Sequence, residues 1–339
     1  MNEIQIVRFG GPQVLRLVEK PSPSLIPGHV RIKVSAAGVS FADVQMRMGL
    51  YPEAPRVPFV PGYEIAGVIS EVGPGVHSFR RGQRVLSLCR FGGYTDEIVL
   101  SAAQVRPTPR RLSDREAAAI PVAFATAWIA LMDLARIREG DRILIPGAAG
   151  GVGTAMVQIA CKAGAYVVGL VGSNGKKELV RSLGAAESLT YEEFRSRHTE
   201  DGRDFSVIAE ARGATAVKDS MRRLAPGGRV VIYGASSIVT GNRRSIPRSL
   251  LWLLRTPLFT SIGLQMSNSG VIGLNMLKLM DTDQGKEMMM RAMDGVLEGF
   301  QAGWYKPVLG RTFTLQNACD AHAFLQSGKS SGKVVLSCS

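Results

Sequence analysis

Residues 143 to 153, Ile-Leu-Ile-Pro-Gly-Ala-Ala-Gly-Gly-Val-Gly, hold the clearest chemistry in the chain: an apolar strand run empties into a glycine-rich turn that opens a helix. Glycines without Cβ let a backbone come close to a pyrophosphate, and the unpaired N–H groups and dipole of the following helix favour its negative charge. Thr154 to Gly164 supply that helix and its stop, and a second apolar run at Tyr166 to Val171 completes a βαβ unit. A NAD-specific site would end that second strand with an Asp or Glu against the ribose 2′-hydroxyl. Here Gly172-Ser173-Asn174-Gly175-Lys176-Lys177 follows instead, a hydroxyl and two ammonium groups without an acid. That set suits an added 2′-phosphate, so NADPH is expected over NADH.

The elements that must position this turn are legible as two patterns. Up to about residue 100 the chain reads as short alternating strands broken by Gly and Pro, at Gln5 to Phe9, Val14 to Val18, His29 to Ala37, Glu64 to Val72, Arg84 to Leu88 and Gly93 to Leu100. From Asp114 helical spacing takes over, through Glu116 to Ile120 and Phe124 to Ala135. Strands are then expected at Ile143 to Ile145, Tyr166 to Val171, Ser188 to Thr190, Ser206 to Ala209, Arg229 to Tyr233 and Phe259 to Leu264, with helices between most of them. Such alternation argues for an α/β fold with a doubly wound parallel sheet. Beyond residue 266, helices are expected at Val271 to Met280 and Gly285 to Ala302, a strand at Lys306 to Phe313, a helix at Leu315 to Gln326 and a strand at Lys333 to Ser337. The methionines 288 to 290 read as helix core.

Composition narrows the function classes. The chain has 339 residues, 45% hydrophobic and 20% charged, enough for two domains with a sizeable core. The first residues lack the basic stretch and apolar run of a signal peptide, and no segment reads as a long unbroken apolar span, so a cytoplasmic protein without stable membrane insertion is expected. Cysteines 89, 161, 319 and 338 are scattered without a C-x-x-C pair, which suggests free thiols rather than a disulfide framework or a cysteine zinc site. The net charge of +13 comes without a basic tail or aromatic interleaving, which fits a basic surface around an anionic cofactor and not a nucleic-acid partner.

Several segments together resemble the medium-chain dehydrogenase/reductase superfamily, of the quinone oxidoreductase type, over nearly the full length. They are Ala37-Gly38-Val39-Ser40-Phe41-Ala42-Asp43-Val44, Arg47-Met48-Gly49-Leu50-Tyr51-Pro52, Pro61-Gly62-Tyr63-Glu64-Ile65-Ala66-Gly67, Glu116-Ala117-Ala118-Ala119-Ile120-Pro121, the glycine loop, Gly227-Gly228-Arg229, Ala302-Gly303-Trp304-Tyr305-Lys306-Pro307 and Gly332-Lys333-Val334-Val335-Leu336. The stretch from Tyr233-Gly234-Ala235-Ser236 through Arg255-Thr256-Pro257 to Asn275 is similar to the branch named after the synaptic vesicle amine transport protein. The resemblance implies a GroES-like, β-rich catalytic domain (residues 1–122 and 267–339) and a Rossmann domain (123–266) with a cleft for NADPH. It also implies a homodimer, paired through the strand expected at Phe259 to Leu264.

The family includes zinc alcohol dehydrogenases, whose ligand motif Gly-His-Glu reads Gly62-Tyr63-Glu64 here and whose cysteine lobe is missing. A phenol does not readily replace a neutral imidazole ligand, so no metal is expected. The remaining chemistry is direct hydride transfer to a conjugated acceptor, a quinone or an enone. What the resemblance implies for the cofactor is Thr126 near the carboxamide, Ala149, Gly150, Gly151 and Val152 around the pyrophosphate, and Gly172, Ser173, Lys176 and Tyr191 around the 2′-phosphate. Gly234, Ala235 and Ser236 would lie along the nicotinamide ribose, with Leu264 to Met266 offering backbone contacts to the ring and Lys333 a phosphate contact. On the substrate side Ser40 stands where many relatives have Asn, and Tyr51 and Tyr63 offer phenols to an acceptor carbonyl. Asp43 reads as a structural residue holding the turn from Ser40 to Gln45.

Two further readings share this sequence: an enoyl-thioester reductase of a natural-product pathway, and a non-catalytic NADPH-binding protein acting in interaction or membrane trafficking. Residues 242 to 259 combine arginines with Leu250-Leu251-Trp252-Leu253-Leu254, which reads as a lid, a peripheral membrane contact or a buried helix, the first and last being favoured.

Overall fold

The Gly- and Pro-broken runs near the N-terminus become β1 (Asn2–Ile6), β2 (Leu15–Glu19), β3 (His29–Val39), β4 (Glu64–Val72), β5 (Arg84–Leu88), β6 (Glu97–Ser101) and β7 (Val105–Pro107). Six strands follow, β8 (Arg142–Pro146), β9 (Tyr166–Val171), β10 (Glu187–Thr190), β11 (Phe205–Glu210), β12 (Leu224–Ile232) and β13 (Gly270–Gly273), before β14 (Leu309–Thr314) and β15 (Lys333–Ser337). These elements belong to a computed structural model that describes all residues except 198–202, 240, 242–245 and 339. The chain splits into two units, one built on Met1–Ala123 and Lys306–Ser339, the other on Phe124–Thr240 and Ser245–Tyr305.

In the first unit β1 and β2 pair antiparallel, and a larger mixed sheet runs β14-β15-β3-β4-β5-β7, with β6 also on β3. Its registers matter for chemistry. Val334 on β15 faces Val39 on β3, and Ala37 on β3 faces Ile65 on β4, so Lys333, Ser40 and Glu64 arrive at one end of three neighbouring strands.

The second unit is a parallel six-stranded sheet in the order β10-β9-β8-β11-β12-β13. Its strands are near-continuous apolar runs, as burial on both faces by helices requires; Ile143, Ile145, Val167, Val207, Val230 and Val231 are all sealed from solvent. Strand order reverses between β8 and β11, and a crevice at the carboxyl ends of the strands is where such sheets take ligands.

The strand expected at Phe259 to Leu264 is not there. Thr260 caps a helix, Ser261–Ser267, by accepting the Gly263 amide at 3.1 Å, and Asn268, in the left-handed conformation at φ 46°, ends it. The sixth strand is β13, inside the stretch expected as helix; the helix there is only Met276–Leu279, started by Asn275, whose side chain accepts the Leu277 and Lys278 amides. Short apolar runs satisfy both periods, and capping decides between them. Residues 267 to 305, expected with the first domain, lie in the second unit: β13 extends its sheet, and the helix Asp283–Gln301 buries Met289, Met293, Val296 and Phe300, the last 4.8 Å from the Phe124 ring.

Candidate active site

In the second unit the turn after β8 is shaped by close approach. A Cβ on Gly153 would strike the Gly147 carbonyl and the Ala148 backbone, so only glycine lets the helix Gly151–Lys162 start there. The N-cap is Gly150, which has no side chain to cap the first turn; its own amide closes onto the Gly147 carbonyl at 2.9 Å and the Ala148 amide onto the Leu170 carbonyl at 2.9 Å, so among the described residues the amides of Ala149, Gly151 and Val152 are the ones left for a ligand. Ala149 is buried, with Gly150, Gly151 and Val152 partly open above the sheet.

The loop after β9 carries Gly172 and Ser173, both exposed, and then half-buried Lys176, whose ammonium is pulled below its ordinary range by partial burial. Lys177 is held by Glu193 at 2.5 Å. Tyr191 begins the helix that Thr190 and Glu193 cap, and its phenol receives the Gly147 amide, which ties it to the glycine turn. Above its ring, at 4.9 Å, lies the Arg212 guanidinium, clamped by two hydrogen bonds of 2.9 and 2.7 Å to the fully buried carboxylate of Glu210 at the end of β11. Gly234, Ala235 and Ser236 follow β12, pinned by the Ser236 amide on the Ala211 carbonyl at 2.9 Å. Thr126 is buried on the helix Pro121–Trp128.

Leu264 and Met266 do not join this row of strand ends. Both sit on the helix Ser261–Ser267, where the Leu264 amide is spent on the Thr260 carbonyl, and Met266 is 80% exposed. The sixth strand ends at Gly273, and the residues that follow it are Leu274 and Asn275. The stretch expected at 242 to 259 is described from residue 246, as the helix Ile246–Leu254. It is not a buried helix: Leu250, Leu251, Leu253 and Leu254 are exposed, while Trp252 turns inward and donates to Ser237 Oγ at 2.7 Å.

In the first unit the substrate-side residues surround a buried polar chain. Ser40 caps the helix Phe41–Arg47, its amide donating to Asp43 Oδ2 at 2.8 Å, while Asp43 Oδ1 accepts the Gly62 amide at 3.0 Å. Gly62 has φ 101°, open to glycine alone at little cost, which lets Pro61-Gly62-Tyr63 turn towards that carboxyl. Burial pushes the Asp43 carboxyl up to about 7, against the pull of the Ser40 amide, Lys333 and the Gly62 amide. Behind it Tyr94 meets Asp43 at 3.3 Å and His322 Nε2 at 3.0 Å, and fully buried Arg47 reaches Gln326 at 2.7 Å.

Tyr63, in the Gly62-Tyr63-Glu64 motif, is buried, its phenol donating to Met46 Sδ at 3.0 Å; burial pushes that phenol well above its ordinary range. Tyr51, half-buried in the loop after the helix Phe41–Arg47, is pushed up to about 12, by burial first and then by the negative charge of Glu53. Among the described residues no three His, Cys, Asp or Glu side chains gather as a metal would need. Lys333, expected at a phosphate, is 6% exposed and bonds Ser40 Oγ at 2.7 Å and Glu64 Oε1 at 2.5 Å. Tyr94, His322, Glu64 and the Glu210–Arg212 pair escape sequence reasoning, since each lies far along the chain from its partners or within an ordinary strand.

Family models match both halves of this architecture: an alcohol dehydrogenase GroES-like domain over residues 26–110 and a zinc-binding dehydrogenase over 151–273. The chain is 32% identical to a quinone oxidoreductase of Rattus norvegicus, over 99% of this chain and 97% of that protein. The chain belongs to the medium-chain dehydrogenase/reductase family. Within this family of oxidoreductases it is also 30% identical to the Rattus norvegicus synaptic vesicle membrane protein VAT-1 homolog, over 97% of this chain and 82% of that protein. A solved member, the quinone oxidoreductase of Thermus thermophilus, also determined in complex with NADPH, superposes with a TM-score of 0.80 at 31% identity, covering 99% of this chain and all of the other. The fold is thus a GroES-like unit plus a Rossmann unit, as the sequence resemblance implies.

Proposed function

We propose that the protein is a zinc-independent, NADPH-dependent reductase of quinones or α,β-unsaturated carbonyls. The observation that carries this reading is the uncapped first turn of the helix Gly151–Lys162 at the switch point of the parallel sheet, with Ser173 and Lys176 in the loop after the next strand. In this reading the amides of Ala149, Gly151 and Val152 hold the pyrophosphate, Gly150 giving it room between them while its own amide closes the turn onto Gly147, and Ser173 and Lys176 hold the 2′-phosphate beside Gly172 and Tyr191. Gly234, Ala235 and Ser236 line the nicotinamide ribose, Thr126 meets the carboxamide, and backbone contacts to the ring pass from Leu264 and Met266 to Leu274, which follows β13. NADPH supplies the hydride. Ser40 and Tyr51 orient the acceptor and hydrogen-bond its oxygen as charge develops there, whereas Tyr63, expected with them, donates its proton to Met46 Sδ.

The second partner in this reading is another copy of the chain. β13 is an edge strand of the parallel sheet, and Leu253, Leu254, Leu258, Ile262 and Met266, close before it in sequence, are more than half exposed. Sedimentation of the wild type as a dimer, and of Leu258→Asp/Ile262→Asp as a monomer, is the expected result. The reading has the protein working in the cytoplasm without stable membrane insertion or a nucleic-acid partner. The helical run Asp114–Leu134, apolar enough by length and composition to span a membrane, has 72% of its apolar window buried in the fold.

The deciding experiment is NADPH oxidation after chelator treatment against quinones, enones and enoyl thioesters, with NADH in parallel. Chelator-resistant turnover that prefers NADPH supports the reading. Turnover on thioesters alone favours an enoyl-thioester reductase, and tight NADPH binding with no turnover favours a non-catalytic interaction or trafficking role.

A further inference from the structure

Lys333, Ser40 and Glu64 form a buried triad with a directional consequence. Ser40 Oγ accepts a hydrogen bond from Lys333 Nζ at 2.7 Å, and the same ammonium lies 2.5 Å from Glu64 Oε1. Ser40 is 9% exposed, Lys333 6% and Glu64 0%. An ammonium has donors only, whereas a hydroxyl has one donor and two acceptor lone pairs. The Ser40 oxygen is therefore the acceptor in this contact, and its own O–H is left to donate. Among the described residues the Ser40 hydroxyl donates to no acceptor.

Nothing in the triad is loose. Ser40 is fixed as a helix cap through its amide on Asp43, and Glu64 is anchored on its other oxygen by the Val122 amide at 2.7 Å. Lys333 starts β15, whose register against β3 sets it beside Ser40. Tyr63, the competing phenol, already donates its proton to Met46 Sδ.

We propose that Ser40 is the proton donor to the reduced acceptor and that Lys333 resupplies it, a claim that rests on the reductase reading above. With an enone, hydride from NADPH forms the new C–H bond at the β-carbon, and the C=C pair shifts towards the carbonyl oxygen. That oxygen takes the Ser40 proton as the Ser40 O–H bond breaks, and Ser40 Oγ takes a proton from Lys333 Nζ. The enol leaves and becomes the saturated ketone, and water returns one proton to the neutral Lys333 amine. The sum is enone, NADPH and one proton giving ketone and NADP⁺. Lys333 acts through Ser40, with Glu64 as the anion that holds its ammonium in place.

The test uses the full-length protein with Ser40→Ala, Lys333→Met and Lys333→Arg. Ser40→Ala keeps the backbone cap and is the variant least able to disturb folding. With an enone that the wild type reduces, both Ser40→Ala and Lys333→Met are expected to lose about 10²-fold or more in kcat, with the NADPH Kd within twofold. Lys333→Arg keeps the charge but not an ammonium that gives up a proton readily, and is expected to be as slow as Lys333→Met. A kcat within threefold of wild type in Ser40→Ala, or recovery of the rate in Lys333→Arg, overturns the relay.

A binding readout separates this proposal from the reductase reading. The ionisation of bound 4-nitrophenol, followed by nitrophenolate absorbance in the presence of NADP⁺, is expected to shift upward in Ser40→Ala and Lys333→Met by about one pH unit, roughly 1.4 kcal/mol. That shift in a protein without turnover supports the donor while failing the reductase reading. An unchanged ionisation, or no binding of 4-nitrophenol, overturns the donor.

Discussion

The Tyr94 hydroxyl lies 3.3 Å from Asp43 Oδ2, and neither residue is reached by solvent. With two backbone amides on its oxygens, the carboxyl is well provided with donors, yet burial outweighs them and holds a proton on it up to about pH 7. The helix cap at Ser40 and the turn at Gly62 thus hang on one acid whose charge state changes near neutrality.

Stability should follow that proton. Between the unfolded value of about 4 and the folded value of about 7, the folded chain binds a proton at Asp43 that the unfolded chain has released. Unfolding free energy from this group is therefore fully present below about pH 4 and falls as pH rises to about 7, at up to roughly 1.4 kcal/mol per pH unit. Asp43→Asn should remove this slope while lowering stability at pH 5. Urea unfolding of both proteins at pH 5 and 8 measures it; equal pH dependence in the two would contradict the assignment.

Gly153→Ala should break the phosphate turn. The added Cβ meets the Gly147 carbonyl and the Ala148 backbone, neither of which can rotate aside, so the turn must move. A cost of about 1–3 kcal/mol in stability and at least a tenfold rise in the NADPH Kd are expected. Gly270→Ala, where the new Cβ meets Arg229 at an ordinary 3.4 Å, should change the Kd little. Fluorescence titration of NADPH into the two variants decides.

Lys176→Ala addresses cofactor choice. Loss of one charge-assisted bond to a 2′-phosphate should raise the NADPH Kd about tenfold, or roughly 1.4 kcal/mol, and leave that of NADH within twofold. Equal losses for both nucleotides would place Lys176 outside the 2′-phosphate contact.

Where spacing and capping agree, the fold was legible in the sequence: β9 and β15 run over the residues expected, and the glycine turn opens the helix it should. The errors gather where a local contact outvotes a short apolar period. Phe259 to Leu264 alternates well enough for a strand, but the Thr260 hydroxyl on the Gly263 amide starts a helix, and the edge of the sheet passes to β13. On the substrate side, Ser40, Tyr51 and Tyr63 were visible as residue types. Their environment was not, because Lys333 comes to Ser40 from 293 residues away by strand register, and His322 comes to Tyr94, behind Asp43, from 228 residues away.

The Glu210–Arg212 pair, two residues apart at the end of an ordinary apolar strand, carries no sequence signal either, and it yields the last prediction. Glu210 is fully buried and takes both guanidinium bonds, the Arg212 amide at 2.8 Å and the Ser220 hydroxyl at 3.1 Å, while the Arg212 side chain is 34% exposed and lies over Tyr191. Removing only the cation leaves a carboxylate in the interior with a hydroxyl and an amide for company, and such a loss costs about 3–5 kcal/mol. Arg212→Ala should accordingly be destabilised by about 3 kcal/mol, with solvation at the exposed edge of the pair easing the upper figure. Arg212→Ala/Glu210→Gln removes the orphan charge as well and should recover most of the stability. A double-mutant cycle by urea unfolding reads the difference; additive losses would mean that the two side chains do not depend on each other. Because Tyr191 is held between Arg212 and the Gly147 amide, Arg212→Ala should also weaken NADPH binding, whereas Glu210→Gln, which leaves the guanidinium over the ring, should weaken it less.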